Sequence, residues 1–414
     1  MNRRERKVEL LLPASSLPVL YTAVRYGADA VYIGGNFYGL RAKAENFNHA
    51  EMAEGIAFAH AHGVKVYVTA NILAHNADLP GAEDYFRELS TLGPDAVLIS
   101  DPGLFTICRR VAPDLDIHIS TQANNTNYGT FNFWHDLGAK RVVTARELSL
   151  DEIAEIRAHI PYDLEIETFV HGSMCISYSG RCLLSNYFTG RDANHGECTH
   201  PCRWKYYVTE ETRPGEYLPV EENERGTYIF NSKDLCMISH LPELIDAGAD
   251  SLKVEGRMKN ALYVATVART YRTALDDLYE SREKYQANIP KYEQMIEECT
   301  FRQFSTGFFF GKPTHESQIY DESTYTQKFV YLGMVQDVEG GRIHITQKNK
   351  FSVGDTIEIM KPDGKNDIVE VASIADADGT EMESAPHAKQ EIFIGPAASA
   401  EPGDILRMKA KEGS

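Results

Sequence analysis

Four copies of one short pattern constrain the fold of this 414-residue chain most strongly. In each copy a glycine follows an amphipathic stretch, and an apolar run begins within a few residues. The copies lie at residues 27–34, 93–100, 138–144 and 248–255. A glycine in this place suits the left-handed position that ends a helix. The pattern therefore predicts helices that alternate with short buried strands.

Further apolar runs fit the same alternation, and they lie at residues 8–12, 64–69, 116–120, 164–169 and 227–230. Strands that alternate with helices of 10–15 residues form parallel βαβ units. About eight such units between residues 8 and 260 predict an α/β fold of the TIM type, a (β/α)₈ barrel. An open, doubly wound sheet is the alternative. In a barrel, the chemistry lies at the carboxyl ends of the strands.

The sequence changes character twice after the repeat, which predicts three regions. Residues 1–260 form the barrel and include a cysteine-rich region at 167–236. Apolar residues then recur at helical spacing, so residues 261–328 are expected to be a helical connecting segment. Short alternating runs separated by Gly and Pro-Asp-Gly turns predict a small β-barrel domain at residues 329–414.

The composition excludes two classes of partner. The net charge of −18 rules out nucleic-acid binding through the overall field, although a local basic patch remains compatible with it. No apolar run approaches the roughly 20 residues of a membrane span. The apolar stretch after the charged start is too short for the core of a signal peptide. We therefore expect a cytoplasmic protein that does not enter a membrane.

The densest group of reactive side chains is a set of cysteines. Four of the seven cysteines fall within 28 residues, directly after a predicted strand, and a fifth follows another predicted strand. They are Cys175, Cys182, Cys198, Cys202 and Cys236. A cytosolic chain does not keep a disulfide framework, so clustered cysteines indicate metal or redox chemistry.

Three interpretations of these cysteines stay open on spacing alone. Structural zinc favours Cys-x₂₋₄-Cys pairs, and only Cys198 and Cys202 comply. An iron–sulfur cluster needs about four thiolates and tolerates irregular spacing. A cysteine nucleophile is the third interpretation, because His171 precedes Cys175 by four residues and would face it on a helix. Gly172 favours a loop there instead.

The cysteine region also resembles a known family. The pattern Glu-x-Phe-x-x-Gly-Ser-Met-Cys-x₄-Gly-x-Cys-x-Leu-Ser runs from residue 167 to 185 without departure. It is similar to the signature of the collagenase-like peptidase family of unassigned catalytic type. Further similar segments lie at residues 9–14, 119–123, 146–149, 231–236, 253–257 and 349–355.

The resemblance implies a function that the family name does not state. Better-understood branches carry a 4Fe–4S cluster and hydroxylate RNA bases or ubiquinone precursors without oxygen. The most similar branch makes 5-hydroxyuridine at the wobble position of tRNA and depends on prephenate. By this resemblance Cys175, Cys182 and Cys198 bind the cluster, and Cys236 is favoured over Cys202 as the fourth ligand. The expected partner is tRNA, and a paralogous protein is a further candidate.

Arginines and one amide are the candidate substrate-binding residues, whereas the catalytic residues stay unassigned. The two carboxylates of prephenate call for guanidinium partners. Arg257, Arg181 and Arg41 lie near predicted strand ends, and Arg257 is the first choice, although Glu255 is an alternative structural partner for it. The amide of Gln122 suits a pyrimidine edge.

For RNA, Trp204 is the candidate platform on which a flipped base would stack, with packing in the core as its alternative.

A tRNA hydroxylase, an oxidoreductase, is thus the leading prediction. A collagenase-like peptidase is the alternative hydrolase, although the sequence has no His-Glu-x-x-His and no Gly-x-Ser-x-Gly motif. Hydroxylation of another RNA or of a small aromatic substrate is also left open.

Overall fold

A computed structural model describes residues 7–39, 46–175, 177–179, 181–195, 197–204, 207–208, 218–219, 232–313 and 325–410. These residues form two compact units. The first lies within Met1–Ser16, Asp29–Arg257 and Arg302–Thr324, and the second within Leu17–Ala28, Met258–Phe301 and Tyr325–Ser414. Arg41 and the predicted strand at 227–230 lie outside the described residues.

Eight parallel strands close into a barrel in the first unit. The strands up to residue 254 are β1 (Glu9–Pro13), β2 (Ala30–Gly34), β3 (Lys65–Ala70), β4 (Ala96–Ile99), β5 (Asp116–Ile119), β6 (Arg141–Val143), β7 (Glu165–Gly172), β8 (Tyr207–Val208), β9 (Leu218–Pro219), β10 (Asp234–Cys236) and β11 (Ser251–Val254). Strands β1 to β7 pair in order, and β11 pairs in parallel with both β7 and β1. The predicted TIM-type barrel is confirmed.

Helices follow the strands as the glycine pattern predicts. They are α1 (Leu17–Arg25), α2 (His49–Ala61), α3 (Ala82–Leu92), α4 (Pro102–Val111), α5 (Tyr128–Asp136), α6 (Leu150–His159), α7 (Leu184–Thr189), α8 (Leu241–Asp246), α9 (Ala261–Glu280) and α10 (Arg282–Ile296). Each repeat glycine has a positive φ, between 72° and 109°. Asn48 and Ser149 start α2 and α6 with reciprocal capping boxes, which satisfy free backbone N–H groups.

A buried ionic network fills the amino end of the barrel. Arg141, the first residue of β6, is 2% exposed and forms ion pairs with Glu9, Glu165 and Glu167. Lys253 Nζ lies 2.7 Å from the Glu167 carboxylate. These charges pair with each other because an isolated ion in the barrel interior would lose its hydration without compensation.

Two short strands, β10 and a later one, extend the sheet of the barrel. Strand β10 runs antiparallel to β7, with Cys236 opposite His171. Of the next two strands, β12 (Thr300–Phe301) and β13 (Phe304–Ser305), the second pairs in parallel with β10. We expected Cys236 to follow a barrel strand. It belongs instead to this added strand, which reaches the same end of β7.

The second unit contains α1, α9, α10 and an antiparallel sheet. Its remaining strands are β14 (Thr326–Gln327), β15 (Phe329–Glu339), β16 (Arg342–Thr346), β17 (Phe351–Ser352), β18 (Thr356–Met360), β19 (Asp367–Glu370), β20 (Ser373–Asp376), β21 (Glu381–Met382), β22 (Ser384–Ala385), β23 (Glu391–Gly395) and β24 (Ile405–Lys409). Eight of them form one sheet in the order β19-β18-β24-β15-β16-β23-β20-β21 around a core that includes Leu332, Ile345 and Ile359. This antiparallel half-barrel is the predicted C-terminal β-domain. No helix in the described part of the chain is long and apolar enough to cross a membrane.

Candidate functional site

The residues that follow the carboxyl ends of the eight barrel strands form one face, which we call the barrel mouth. Arg257 lies there, three residues after β11, and is 4% exposed. Its Nη1 donates to Thr69 Oγ1 and its Nη2 to Asn46 Oδ1, both at 2.9 Å. A Cβ on Gly34 would lie 2.5 Å from the Arg257 Cζ, so only glycine at the end of β2 lets the guanidinium lie against the backbone. The mouth therefore contains a buried, positioned cation.

Arg146 anchors the start of the cysteine-rich region. Its Nη1 donates to the Ser173 carbonyl at 2.6 Å, and its guanidinium lies 3.9 Å above the Phe169 ring. Its Nη2 is 3.4 Å from the carboxylate of Glu255, the residue considered as a partner of Arg257. Burial raises the pKa of the neighbouring Glu147 carboxyl, against the effects of backbone hydrogen bonds and the Arg146 charge. Arg146 thus joins three strand ends at the mouth.

A small polar cluster positions Gln122. Asn71 Nδ2 donates to Ser120 Oγ at 3.0 Å and to Gln122 Oε1 at 3.1 Å, and the Ser120 hydroxyl donates to the same Gln122 oxygen. Within the described residues, the Gln122 Nε2 has no hydrogen-bond partner. The cluster therefore leaves an amide donor for a carbonyl oxygen of a bound molecule.

Cys175 and Cys236 are placed at the same end of β7. Cys175 follows Gly172, the last residue of β7, by three positions, and Cys236 pairs in register with His171. His171 is 2% exposed, and its ring lies 5.5 Å from that of Phe304. The helical arrangement that would turn His171 toward Cys175 is not formed, because His171 belongs to a strand.

The other cysteines belong to a segment that crosses the mouth, which we call the cysteine segment (residues 173–204). Cys182 precedes α7, where Ser185 Oγ accepts a hydrogen bond from the Thr199 N–H at 3.0 Å. Asn194 exchanges two hydrogen bonds of 3.1 Å with the backbone of Leu73, which follows β3. In the barrel β3 lies four strands from β7, so the segment extends from one side of the mouth to the other.

The donor chemistry of this segment fits a thiolate-ligated group. Cys175 and Cys198 are exposed, and Cys182, Cys202 and Cys236 are half-buried. Across the described ranges, no three His, Cys, Asp or Glu side chains gather closely enough to hold a metal ion. The thiols are thus exposed or half-buried, and one cluster would need four of their sulfurs closer together than the described residues place them.

The remaining sequence candidates are on the surface of the segment. Trp204 is 45% exposed, so it is not packed in the core, and its ring lies 6.2 Å from that of Phe188. Arg181 is exposed. Sequence reasoning missed Thr69, Asn46 and the exposed rings of Tyr187 and Phe188. The adjacent pair Gly34-Gly35 was a signal for the close approach of Arg257, whereas nothing in the sequence marked the rings.

Comparisons with known proteins agree on a family over nearly the whole chain. The profile of peptidase family U32 matches residues 15–319, and that of the peptidase family U32 C-terminal domain matches residues 327–407. The chain is 40% identical to tRNA hydroxylation protein P1 of Bacillus subtilis (strain 168), over 97% of this chain and 95% of the relative.

Two relatives from Escherichia coli (strain K12) are also similar. The tRNA hydroxylation protein P is 39% identical, over 92% of each chain. The 23S rRNA 5-hydroxycytidine C2501 synthase is 33% identical, over 87% of this chain and 53% of the relative. The names of all three relatives refer to the hydroxylation of RNA.

Proposed function

This chain belongs to peptidase family U32, and we propose that within this family it is an RNA-hydroxylating enzyme that acts on tRNA. The observation that carries the proposal is the end-to-end similarity to two tRNA hydroxylation proteins, each about 40% identical. A similarity of this extent includes both the barrel and the C-terminal β-domain, so it concerns both units of this chain. The polar barrel mouth and its cysteine segment are where we place the reaction.

The proposed reaction is oxygen-independent hydroxylation of the wobble uridine at C5, which gives 5-hydroxyuridine. Replacing the C5 hydrogen by a hydroxyl group removes two electrons from the base, and ordinary side chains do not accept them. We propose a 4Fe–4S cluster held by Cys175, Cys182, Cys198 and Cys236. When bound, such a cluster would supply electron transfer for this oxidation, since four cysteine ligands occupy all four irons. The position of Cys236 beside the end of β7 supports it over Cys202.

The residues of the mouth have binding roles in this proposal. Arg257 binds a carboxylate of the co-substrate prephenate, because a buried guanidinium with fixed orientation suits bidentate recognition of a carboxylate. Gln122 donates its Nε2 amide to a carbonyl oxygen of the uracil ring. Arg146 holds the start of the cysteine segment and Asn194 holds a point within it, so that the segment covers the mouth and excludes water from the reacting base.

A second candidate is hydroxylation of a cytidine in ribosomal RNA. The 5-hydroxycytidine synthase among the relatives favours it, because that protein is similar to most of this chain. The two candidates share the proposed site and differ in the base and the RNA that it receives. Measurement of both nucleosides in one experiment separates them.

The test is the nucleoside content of RNA from cells that lack the gene and any functional substitute. We expect 5-hydroxyuridine and its derivatives to disappear from digests of bulk tRNA, as seen by mass spectrometry. The wild-type gene and a Cys108→Ala variant should restore them, because Cys108 is a buried thiol of α4, outside the cysteine segment. Cys182→Ser should not.

Unchanged tRNA nucleosides in the deletion strain would contradict the tRNA proposal. A loss of 5-hydroxycytidine from ribosomal RNA would then support the second candidate. Cleavage of gelatin by the purified protein, with no change in any RNA nucleoside of the deletion strain, would support the peptidase interpretation instead.

A further inference from the structure

Three aromatic side chains of the cysteine segment form an exposed surface, which we call the aromatic surface (Tyr187, Phe188 and Trp204). Their exposed fractions are 82%, 44% and 45%. The rings of Tyr187 and Phe188 are 5.2 Å apart and nearly perpendicular, and those of Phe188 and Trp204 are 6.2 Å apart. Large aromatic side chains that are exposed close to one another are uncommon on a protein surface, so their exposure indicates a binding function.

Two unpaired arginines occur in the same segment. Arg181 is exposed and precedes α7, and Arg191 follows it. Within the described ranges, neither guanidinium has an ion pair or a hydrogen bond, and the Arg191 Nε is buried without an acceptor. In a chain with a net charge of −18, these two cations flank in sequence the helix that carries Tyr187 and Phe188, and they can pair with an anion.

We propose that the aromatic surface stacks unpaired nucleotides of the tRNA next to the one whose base enters the barrel mouth. The inference rests on the proposed function, since it assumes that the substrate is tRNA. Exposed rings stack on bases of any sequence, and guanidinium groups bind the phosphates between them. Because α7 and Trp204 belong to the segment that crosses the mouth, bases stacked there would hold the neighbouring nucleotide close to the cysteines.

The features of the surface favour RNA over a protein partner. The rings are inclined to each other by 80° and 50°, so they present separate faces and not one flat apolar patch. Unpaired cations on either side of a helix that carries two of the rings suit the phosphates and bases of a single strand. A protein bound at this surface would need carboxylates opposite Arg181 and Arg191. In that case, substitution of the rings would not change the affinity for RNA.

The test compares binding of an anticodon stem-loop RNA and of a fully paired duplex of the same length to the full-length protein. Tyr187→Ala combined with Trp204→Ala should weaken stem-loop binding by at least about tenfold and leave duplex binding unchanged. Tyr162→Ala is the matched control, because Tyr162 is 63% exposed but precedes β7 at the amino end of the barrel. Equal thermal unfolding midpoints and iron contents exclude misfolding as the cause.

Tryptophan fluorescence gives a second readout. The chain has two tryptophans, and Trp134 is 5% exposed, so quenching by added stem-loop RNA reports Trp204. Trp204→Phe should abolish the quenching and keep most of the affinity, because phenylalanine still stacks.

Two outcomes overturn the inference. One is a double variant that binds the stem-loop within twofold of the wild type while the wild-type protein hydroxylates tRNA. The other is a double variant that keeps its RNA affinity but loses a co-purifying protein. If the wild type neither binds the stem-loop nor modifies tRNA, the proposed function itself has failed.

Discussion

Substitution of Arg141 by methionine should strongly destabilise the barrel. Arg141 is 2% exposed and donates five hydrogen bonds to the carboxylates of Glu9, Glu165 and Glu167. Methionine has a similar length but no charge, so three carboxylates would remain with Lys253 as a nearby cation. Removing one partner from a buried ion pair typically costs about 3–5 kcal/mol, because the other charge is left without compensation.

The expected loss in the free energy of unfolding lies at the lower end of that range. The side chains of Glu9 and Glu165 are 13% and 18% exposed, so water can recover part of their solvation. We therefore expect a loss of about 3 kcal/mol, which corresponds to a fall of roughly 6–12 °C in the unfolding midpoint. Arg87→Met is the control, because Arg87 and Glu83 form a surface pair that is worth no more than about 1 kcal/mol.

The stability lost in Arg141→Met should decrease as the pH falls. Burial alone would raise the pKa of Glu9, but the charge and hydrogen bonds of Arg141 outweigh it and keep this pKa below its ordinary value. Wild-type Glu9 therefore stabilises the fold above its unfolded pKa, and this contribution is lost as the pH falls. Without Arg141, burial raises the Glu9 pKa, and the variant gains stability as the pH falls.

The assay is urea or thermal unfolding of both proteins between about pH 7 and pH 5. The stability gap between wild type and Arg141→Met should narrow toward pH 5. A variant as stable as the wild type at pH 7, or a gap that is constant with pH, would refute the reasoning.

Three further predictions concern the mouth. Gly34→Ala places a Cβ 2.5 Å from Arg257 Cζ, so it should displace the guanidinium and raise the half-saturating prephenate concentration about tenfold; an unchanged value would remove Arg257 from the proposed binding site. Asn194→Ala removes two hydrogen bonds worth about 0.5–1.5 kcal/mol each, so amide exchange in the cysteine segment should accelerate while the barrel strands keep their protection. Cys236→Ser should eliminate bound iron after anaerobic purification and Cys202→Ser should keep most of it, whereas the reverse result would make Cys202 the fourth ligand.

The barrel could be predicted because its signals are local. Each repeat places the end of a helix, a glycine with positive φ and a buried strand within a few residues. Strand β10 could not be predicted in the same way, because its three residues have no periodicity and its pairing with β7 joins residues far apart in the chain. Arg141 also escaped prediction, since a charged residue at the start of a strand is normally exposed, and only closure of the barrel buries it.

In the candidate site, too, only the residues with a local sequence signal could be predicted. The cysteines and Arg257 could be put forward as candidates because residue type and position after a strand indicate chemistry directly. Thr69 and Asn46 were not, because they are 188 and 211 residues from Arg257 in the chain and become its partners only through the fold. The rings of Tyr187 and Phe188 carry no sequence signal of exposure, which depends on what the rest of the chain leaves uncovered.

The most direct test of the central claim is whether the purified protein forms 5-hydroxyuridine in tRNA without oxygen. Iron-loaded, full-length protein would be incubated anaerobically with prephenate and tRNA from the deletion strain, with and without an extract of that strain. Mass spectrometry of the digested tRNA should show 5-hydroxyuridine with the wild type and none with Cys182→Ser. No 5-hydroxyuridine from the iron-loaded wild type, even with the extract, or equal formation by Cys182→Ser, would contradict the account.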